Sequence, residues 1–309
     1  MDVADLNFFL AVARTGGVSR AATELLTVQS NVSSRIRALE DELGVALFRR
    51  HARGMTLTAS GQLLVPYAER ITQLMRELTQ VVRDEGDPSG RVSIGSMEST
   101  AGLRLPKVLS SFSADCPKVD LTLSIDTTDA LIGQVLDQRL DGAFVCGPVR
   151  DPELAAEPVF LEQLVVVGDA SVVDLDGALM RRCPPRILVL KAGCAYRGRL
   201  EKLYEDRDLP APSILELSNL DGILGCVAAG MGTTLLPLAV VTASPLASTL
   251  TVHHPPPEIA RAQTVFVRRR DAVETPAIAR FLACAREATS REPLQAVDRH
   301  TVEPDRLIS

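Results

Sequence analysis

The residues with the most pointed chemistry lie in one short run, Gln29-Ser30-Asn31 followed by Ser33-Ser34-Arg35-Ile36-Arg37. A carboxamide matches the adjacent donor and acceptor of adenine, and a guanidinium matches the two acceptors of guanine. Gln29 and Asn31 therefore suit adenine edges, and Arg35 suits guanine. Ser19, Ser30, Ser33 and Arg53 suit phosphate contacts, which fix register without reading sequence. Ser34, Arg37 and Arg50 complete the polar, basic surface. Residues 28–53 hold five Arg. The acids Glu40-Asp41-Glu42 sit at the far end of the run, so its amino end is free to meet a phosphate or a base edge. The competing reading is a solvated helix face with ordinary polar side chains.

These side chains act together only if one helix presents them. Val32, Ile36, Leu39 and Leu43 recur at spacings of 4, 3 and 4, which predicts a helix from about Gln29 to Leu43, closed by Gly44. Two helices precede it. Leu6, Phe9, Leu10 and Ala13 mark residues 4–14, stopped by Thr15-Gly16-Gly17. Ser19 is the expected cap of residues 20–26, with Ala21, Ala22 and Leu25 facing inward. Alternating runs at 46–50 and 55–58, about Arg53-Gly54, read as a two-stranded wing. Three helices, tight turns and a wing make a winged helix-turn-helix over residues 1–58. Thr58 is the expected cap of a long helix, 59–84. Its Tyr67, Ile71, Leu74, Leu78 and Val81 repeat at 4, 3, 4 and 3. That seam has no partner nearby in sequence, so the same helix of a second chain is expected to cover it. Residues 85–90, rich in Gly, Pro and charge, read as a hinge.

From Arg91 to residue 290, strands and helices alternate, which predicts an α/β domain with a mostly parallel sheet. Expected strands include 91–95, 121–125, 142–146, 164–167, 187–190, 214–217, 234–236 and 264–268. Expected helices are 103–113, 129–138, 196–206, 220–229 and 276–288. The chain should leave a first lobe, 91–160 and 266–290, for a second, 161–265. Ligands in such domains sit beyond the carboxyl ends of strands. The candidates are Ser96, Glu98, Ser99, Thr100, Thr127 and Thr128 from the first lobe. The second lobe offers Gly193, Cys194, Gly232 and Thr233. Several precede helices, which favours an anion; Glu98 would repel one, or recognise an amine or hydroxyl. The alternative is that they are caps and turns. The polar tail 291–309 reads as disordered.

Composition narrows the function. The 309 residues carry 33 Lys and Arg against 39 Asp and Glu, and the net charge of −6 alone speaks against nucleic acid. Residues 1–60, however, hold seven Arg and six acids, so the acidity belongs to the rest of the chain. Trp is absent and Phe and Tyr number 8 and 3, which leaves few groups to stack on bases. The six Cys are scattered without Cys-x-x-Cys, and no disulfide or metal site is expected. His51, His253, His254 and His300 have neither metal nor triad spacing. His253-His254, just before three prolines, read as a loop, and His51 as part of the wing. No catalytic set stands out. With no signal peptide or apolar span evident, a cytoplasmic protein without membrane contact is expected.

Residues 6–64 resemble the winged helix-turn-helix of the LysR-type transcriptional regulators. The likeness is carried by Phe9, Gly16, Ala21-Ala22, Leu25, Gln29, Val32-Ser33, Ile36, Leu39-Glu40, Leu43-Gly44, Leu47-Phe48, Arg50, Leu57-Thr58 and Gly61. It continues to about residue 290, where Leu131–Gly142 and Val227–Pro237 resemble the family's effector-binding domain. The resemblance implies a two-lobed fold like that of periplasmic binding proteins, a small organic effector near 98–100, 128 and 193–196, with Tyr196 in its pocket, and no other cofactor. It also implies a promoter-binding homodimer or dimer of dimers, with RNA polymerase as a further partner. Departures occur at Gly17, Val28 and Ser30, where the family commonly has Ser, then Ser or Thr, then Pro. They imply an altered target preference. Some members sense peroxide through a cysteine near Cys194, but no reactive partner follows Cys194 within twenty residues. The competing function is a cytoplasmic small-molecule-binding or enzymatic α/β protein with an oligomerising N-terminal helical domain.

Overall fold

The computed structural model describes residues 1–51, 54–83 and 88–290. Its amino-terminal unit runs α1 (Val3–Thr15), α2 (Val18–Glu24), α3 (Gln29–Leu43), β1 (Phe48–His51) and β2 (Gly54–Leu57). Leu6, Phe9, Val12, Ala21, Ala22, Val32, Ile36 and Leu39 form one core, which Leu47, Phe48 and Met55 of the wing close. Phe9 and Phe48 meet at 5.4 Å. Leu43, expected in that core, is exposed. Asp2 and Asp5 exchange side-chain and amide hydrogen bonds as a capping box that starts α1. Ser19 does not cap α2: the helix begins two residues earlier, with Gly17 at the cap and Ser19 exposed on its first turn. The β1–β2 register runs Phe48↔Leu57 to His51↔Gly54. Met55 N donates to Gly16 O at 3.0 Å, which anchors the wing on the turn after α1. Glu40 Oε1 accepts from Leu47 N at 2.7 Å and Phe48 N at 3.1 Å, so one of the acids of α3 holds the start of the wing.

Thr58 caps α4 (Ala59–Arg83) as expected, its Oγ1 accepting from Gly61 N at 3.0 Å. Ala68, with Leu64 and Val65, turns the near side of α4 into the amino-terminal core. The other side is bare. Tyr67, Ile71, Leu74 and Leu78 are exposed, and Leu63 and Met75 extend the row. The Val81 side chain and residues 84–87, which include the first half of the expected hinge, lie outside the described residues.

The remaining elements are β3 (Ser89–Ser96), α5 (Glu98–Leu103), α6 (Leu105–Asp115), β4 (Lys118–Ile125), α7 (Thr128–Leu136), β5 (Gly142–Cys146) and β6 (Leu154–Asp169). They are followed by α8 (Leu175–Leu179), β7 (Arg186–Val189), α9 (Ala195–Glu205), β8 (Ser213–Glu216), α10 (Leu220–Ala228), β9 (Thr234–Pro237) and α11 (Leu238–Ala243). The last are β10 (Leu250–His253), α12 (Pro257–Ala260), β11 (Arg261–Arg269) and α13 (Pro276–Ser290). The main sheet runs β10-β6-β11-β5-β3-β4, with β9 also on β6, while β7 and β8 pair beside it. β6 belongs to both lobes: Leu154–Gln163 pair with β11, then Leu164–Val167 pair with β9. The chain therefore enters the second lobe within one continuous strand and returns at Arg261, opposite Gln163.

The sheet is not mostly parallel. β3 pairs in parallel with β4 and β5, and β7 with β8, but β5–β11, β6–β11, β6–β9 and β6–β10 are antiparallel. The βα alternation is genuine; the strands that cross between lobes carry the antiparallel pairs. Five of the eight Phe, at 112, 144, 160, 266 and 281, fill the first lobe, with Phe144 and Phe266 at 5.0 Å. Val165, Val167, Leu188, Ile223, Leu224, Val227 and Leu236 fill a core of the second.

A titratable strut ends β6. Burial alone would raise the carboxyl of Asp169, but hydrogen bonds from Arg181 and Ser171 outweigh it and hold the group at about 2. Protons therefore bind the unfolded chain more tightly, since an ordinary Asp titrates near about 3.9. This stabilisation is complete above the ordinary value and vanishes as pH falls through the folded one. Asp169→Asn is expected to lower the melting temperature at neutral pH and to flatten the acid limb between about pH 4 and pH 2. Thermal melts of both proteins across that interval check it.

Candidate nucleic-acid interface and ligand cleft

At the amino end of α3, Gln29, Ser30 and Asn31 are exposed together, with Ser34 and Arg37 on the following turns and Ser33 half-buried. Asn31 Nδ2 donates to Thr27 Oγ1 at 3.0 Å, which steadies its amide across the turn. Arg35 is turned away. Its Nη1 donates to Asp5 Oδ1 at 2.8 Å and Asp2 Oδ2 at 3.3 Å, and its Cζ lies 5.9 Å from the Phe8 ring centroid. The hydrogen bond to Asp5 heads the interactions that raise Arg35 further above its ordinary value. Arg35 thus clamps α3 to α1, and the guanine contact expected of it is not the one its position favours. The Arg50 side chain and all of Arg53 lie outside the described residues. Sequence reasoning passed over Arg20 of α2 and Arg49 of the wing, both exposed. It also missed Leu26, at φ 51, an exposed apolar side chain on the turn two residues before Val28, the exposed cap of α3.

Between the lobes is a cleft of about 220 Å³ whose wall is largely apolar: Met97, Ile125, Leu190, Ala195, Leu217 and Leu220. Of the expected residues, Glu98, Ser99, Thr127, Thr128, Cys194 and Tyr196 line it. Three polar contacts cross it. Glu98 Oε1 accepts from Leu220 N at 3.1 Å, Ser99 Oγ lies 3.4 Å from Tyr196 Oη, and Lys191 Nζ meets Asp126 Oδ1 at 2.7 Å. Glu98 therefore occupies the amino end of α10, where a carboxylate is favoured. Its awkwardness in the sequence comes from placing it opposite a ligand when it answers the facing lobe. Asp126 and Lys191, absent from the expected set, stand just past β4, which ends at Ile125, and β7, which ends at Val189, the positions where the strand-end rule looks.

Burial works to raise the Asp126 carboxyl, but Lys191, the Thr127 amide and Gln134 outweigh it and hold it below its ordinary value. Burial pushes the Cys194 thiol and the Tyr196 phenol up, so both stay protonated at neutral pH.

The other expected residues stand outside the cleft. Ser96 is fully buried and donates to Met97 O at 3.0 Å. Thr100 is buried, and its Oγ1 has no hydrogen-bond partner among the described residues. Gly193, at φ 89, stands where a Cβ would come 2.8 Å from Thr127 Oγ1, so it lets the lobes approach. Gly232 and Thr233 are corrected to a structural role at the β7–β9 junction. A Cβ on Gly232 would sit 2.4 Å from Arg186 O, and Thr233 Oγ1 donates to Val167 O at 2.7 Å.

This order of reader, long helix and two-lobed domain can be compared with known proteins. Residues 3–62 match the bacterial regulatory helix-turn-helix protein of the lysR family, and residues 85–290 match the LysR substrate binding domain. The chain belongs to the LysR family of bacterial transcriptional regulators. Among its relatives is YusT of Bacillus subtilis, an uncharacterised HTH-type transcriptional regulator, 40% identical over 91% of this chain and 94% of that one. GltR of the same organism, also an HTH-type transcriptional regulator, is 37% identical over 93% of this chain and 97% of its own. Two solved structures share the fold. A full-length OxyR of Pseudomonas aeruginosa, solved as a cysteine-to-aspartate variant, has a TM-score of 0.69 at 20% identity, covering 94% of this chain and 95% of that one. CbnR in complex with its target DNA has a TM-score of 0.67 at 21% identity, covering 93% and 100%. A LysR-type regulator is a DNA-binding transcription factor with an effector-binding domain. None of the described helices is long and apolar enough to cross a membrane.

Proposed function

We propose that this regulator binds promoters as a homodimer, and as a dimer of dimers on longer sites, with α3 of each protomer in a major groove. The bare amino end of α3 supports the reading most directly. Gln29 and Asn31 meet adenine edges; Ser19, Ser30, Ser33, Ser34 and Arg37 contact the backbone, with Arg50 and Arg53 of the wing. Arg35 holds α3 in place. Half-sites lie about 34–36 Å apart, or a multiple of that. A small organic effector in the cleft competes with or tightens the Glu98–Leu220 and Asp126–Lys191 contacts. It thereby changes how the lobes and the paired readers are set, and with them DNA bending and access for RNA polymerase. This works only if the effector binds the two arrangements unequally. The protein acts in the cytoplasm.

A mobility-shift titration tests this with an operator selected from random DNA by the full-length protein. Gln29→Ala is expected to weaken operator binding about tenfold and to flatten the preference at one base pair per half-site. Its binding to random duplex should match the wild type. A wild-type protein that binds selected and random DNA equally defeats the reading.

A further inference from the structure

The first turn of α3 departs from what its own stability asks for. Helix cap positions favour Ser, Thr, Asp or Asn, whose oxygen accepts from a first-turn amide. Here the cap is Val28, in extended backbone at φ −95 and ψ 150, and no side chain caps the helix. Its carbonyl nevertheless starts the helix, accepting from Asn31 N at 3.1 Å and Val32 N at 3.3 Å. Nor does the valine serve the core. It is 64% exposed, while Ala22 and Val32 just beneath are buried. An uncapped helix start and a bare β-branched side chain both cost stability. A local rule broken without compensation inside the fold points to a functional position.

Val28 precedes Gln29 and Ser30, on the tip of the helix that enters the groove. The major-groove face of DNA carries one apolar group, the 5-methyl of thymine, and an aliphatic side chain is its natural partner. A hydroxyl at the cap would instead favour phosphate or its own helix. We infer that Val28 reads a thymine methyl beside the base pair read by Gln29, one such thymine in each half-site. The inference rests on α3 being the reading helix. It adds a specificity element that the uncapped start of α3 makes room for.

The test uses the full-length protein and the operator it selects from random DNA. Each thymine is replaced in turn by deoxyuridine, which removes only the methyl group. Wild type is expected to lose about fourfold in affinity at one thymine per half-site, the value of burying one methyl group. Val28→Ser should bind the thymine and deoxyuridine operators equally. It supplies a capping hydroxyl, so its melting temperature should equal or exceed that of wild type, which separates loss of reading from loss of fold. Leu26→Ser, two residues away, should keep the discrimination. The inference is overturned if no deoxyuridine weakens wild type, if Val28→Ser still discriminates, or if Leu26→Ser abolishes discrimination. A library in which no sequence is enriched overturns the reading role of α3 itself, and this inference with it.

Discussion

Leu74→Asp combined with Leu78→Asp is expected to leave a monomer that binds the operator at least about a hundredfold more weakly than wild type. The two leucines are 49% and 56% exposed and stand in a row with Tyr67 and Ile71 along α4, a helix of 25 residues. An isolated amphipathic helix is marginal in water, and a seam of this spacing is stabilised by burying it against a like seam. One reader alone is a poor DNA ligand. Its first sixty residues carry seven Arg against six acids, so few phosphates are neutralised. Joining two readers through α4 makes the second contact intramolecular, which commonly raises overall affinity about 10²–10⁴-fold without any new contact. Two buried aspartates would oppose the pairing by desolvation and by like-charge repulsion. Thr79→Asp, which adds a charge on the neighbouring exposed position, should be silent. Sedimentation equilibrium gives the mass against the 33.2 kDa chain. A double variant that stays dimeric and keeps its operator affinity would remove α4 as the seam.

The reader was legible in the sequence because its signals are local. Helix periodicity, the Gly44 stop, the Thr58 cap and the wing about Gly54 each lie within a few residues of what they determine. Most strands and helices of the sensor were legible for the same reason. Of β6 only the stretch 164–167 was legible. Glu157, Pro158 and Glu162 interrupt its apolar pattern, yet the strand runs through all three. At the register shift Thr264 pairs with Phe160 and Val265 with Pro158, so the proline falls at an irregularity where a missing amide is tolerated. β10 was hidden because its apolar residues are few and His253 leads into prolines; pairing with Val166 and Val167 makes it a strand. The site followed the same division. Strand-end residues of the cleft were found by position. The Glu98–Leu220 contact joins residues 122 apart, and no periodicity carries such information. Arg35 misled because a charge on a polar face says nothing of which neighbour it answers.

Glu162→Ala is expected to destabilise the sensor by about 3–5 kcal/mol, the usual cost of removing one member of a buried ion pair. For a domain of this size that lowers the melting temperature by roughly 6–20 °C. Glu162 is 5% exposed. Both its oxygens are engaged by one guanidinium, Oε1 with Arg104 Nε at 2.9 Å and Oε2 with Arg104 Nη2 at 3.1 Å. The Arg104 Cζ also lies 5.7 Å from the Phe160 ring centroid. Losing the carboxylate strips a largely buried guanidinium of its bidentate acceptor, whereas replacing both members by apolar groups removes the desolvation cost as well. Arg104→Met with Glu162→Leu should therefore recover most or all of the loss. The pair also has a positional consequence. Arg104 stands at the joint of α5 and α6, and its amide donates to Thr100 O at 2.9 Å. It thus ties the helix bearing Glu98 and Ser99 to β6, the strand shared by the two lobes. In the double variant, stability should return while the Glu98 and Ser99 contacts across the cleft loosen. Hydrogen exchange at the Leu220 amide reads this directly, and faster exchange there is expected despite a restored melting temperature. Protection unchanged from wild type would reduce the pair to a stabilising strut with no part in setting the cleft.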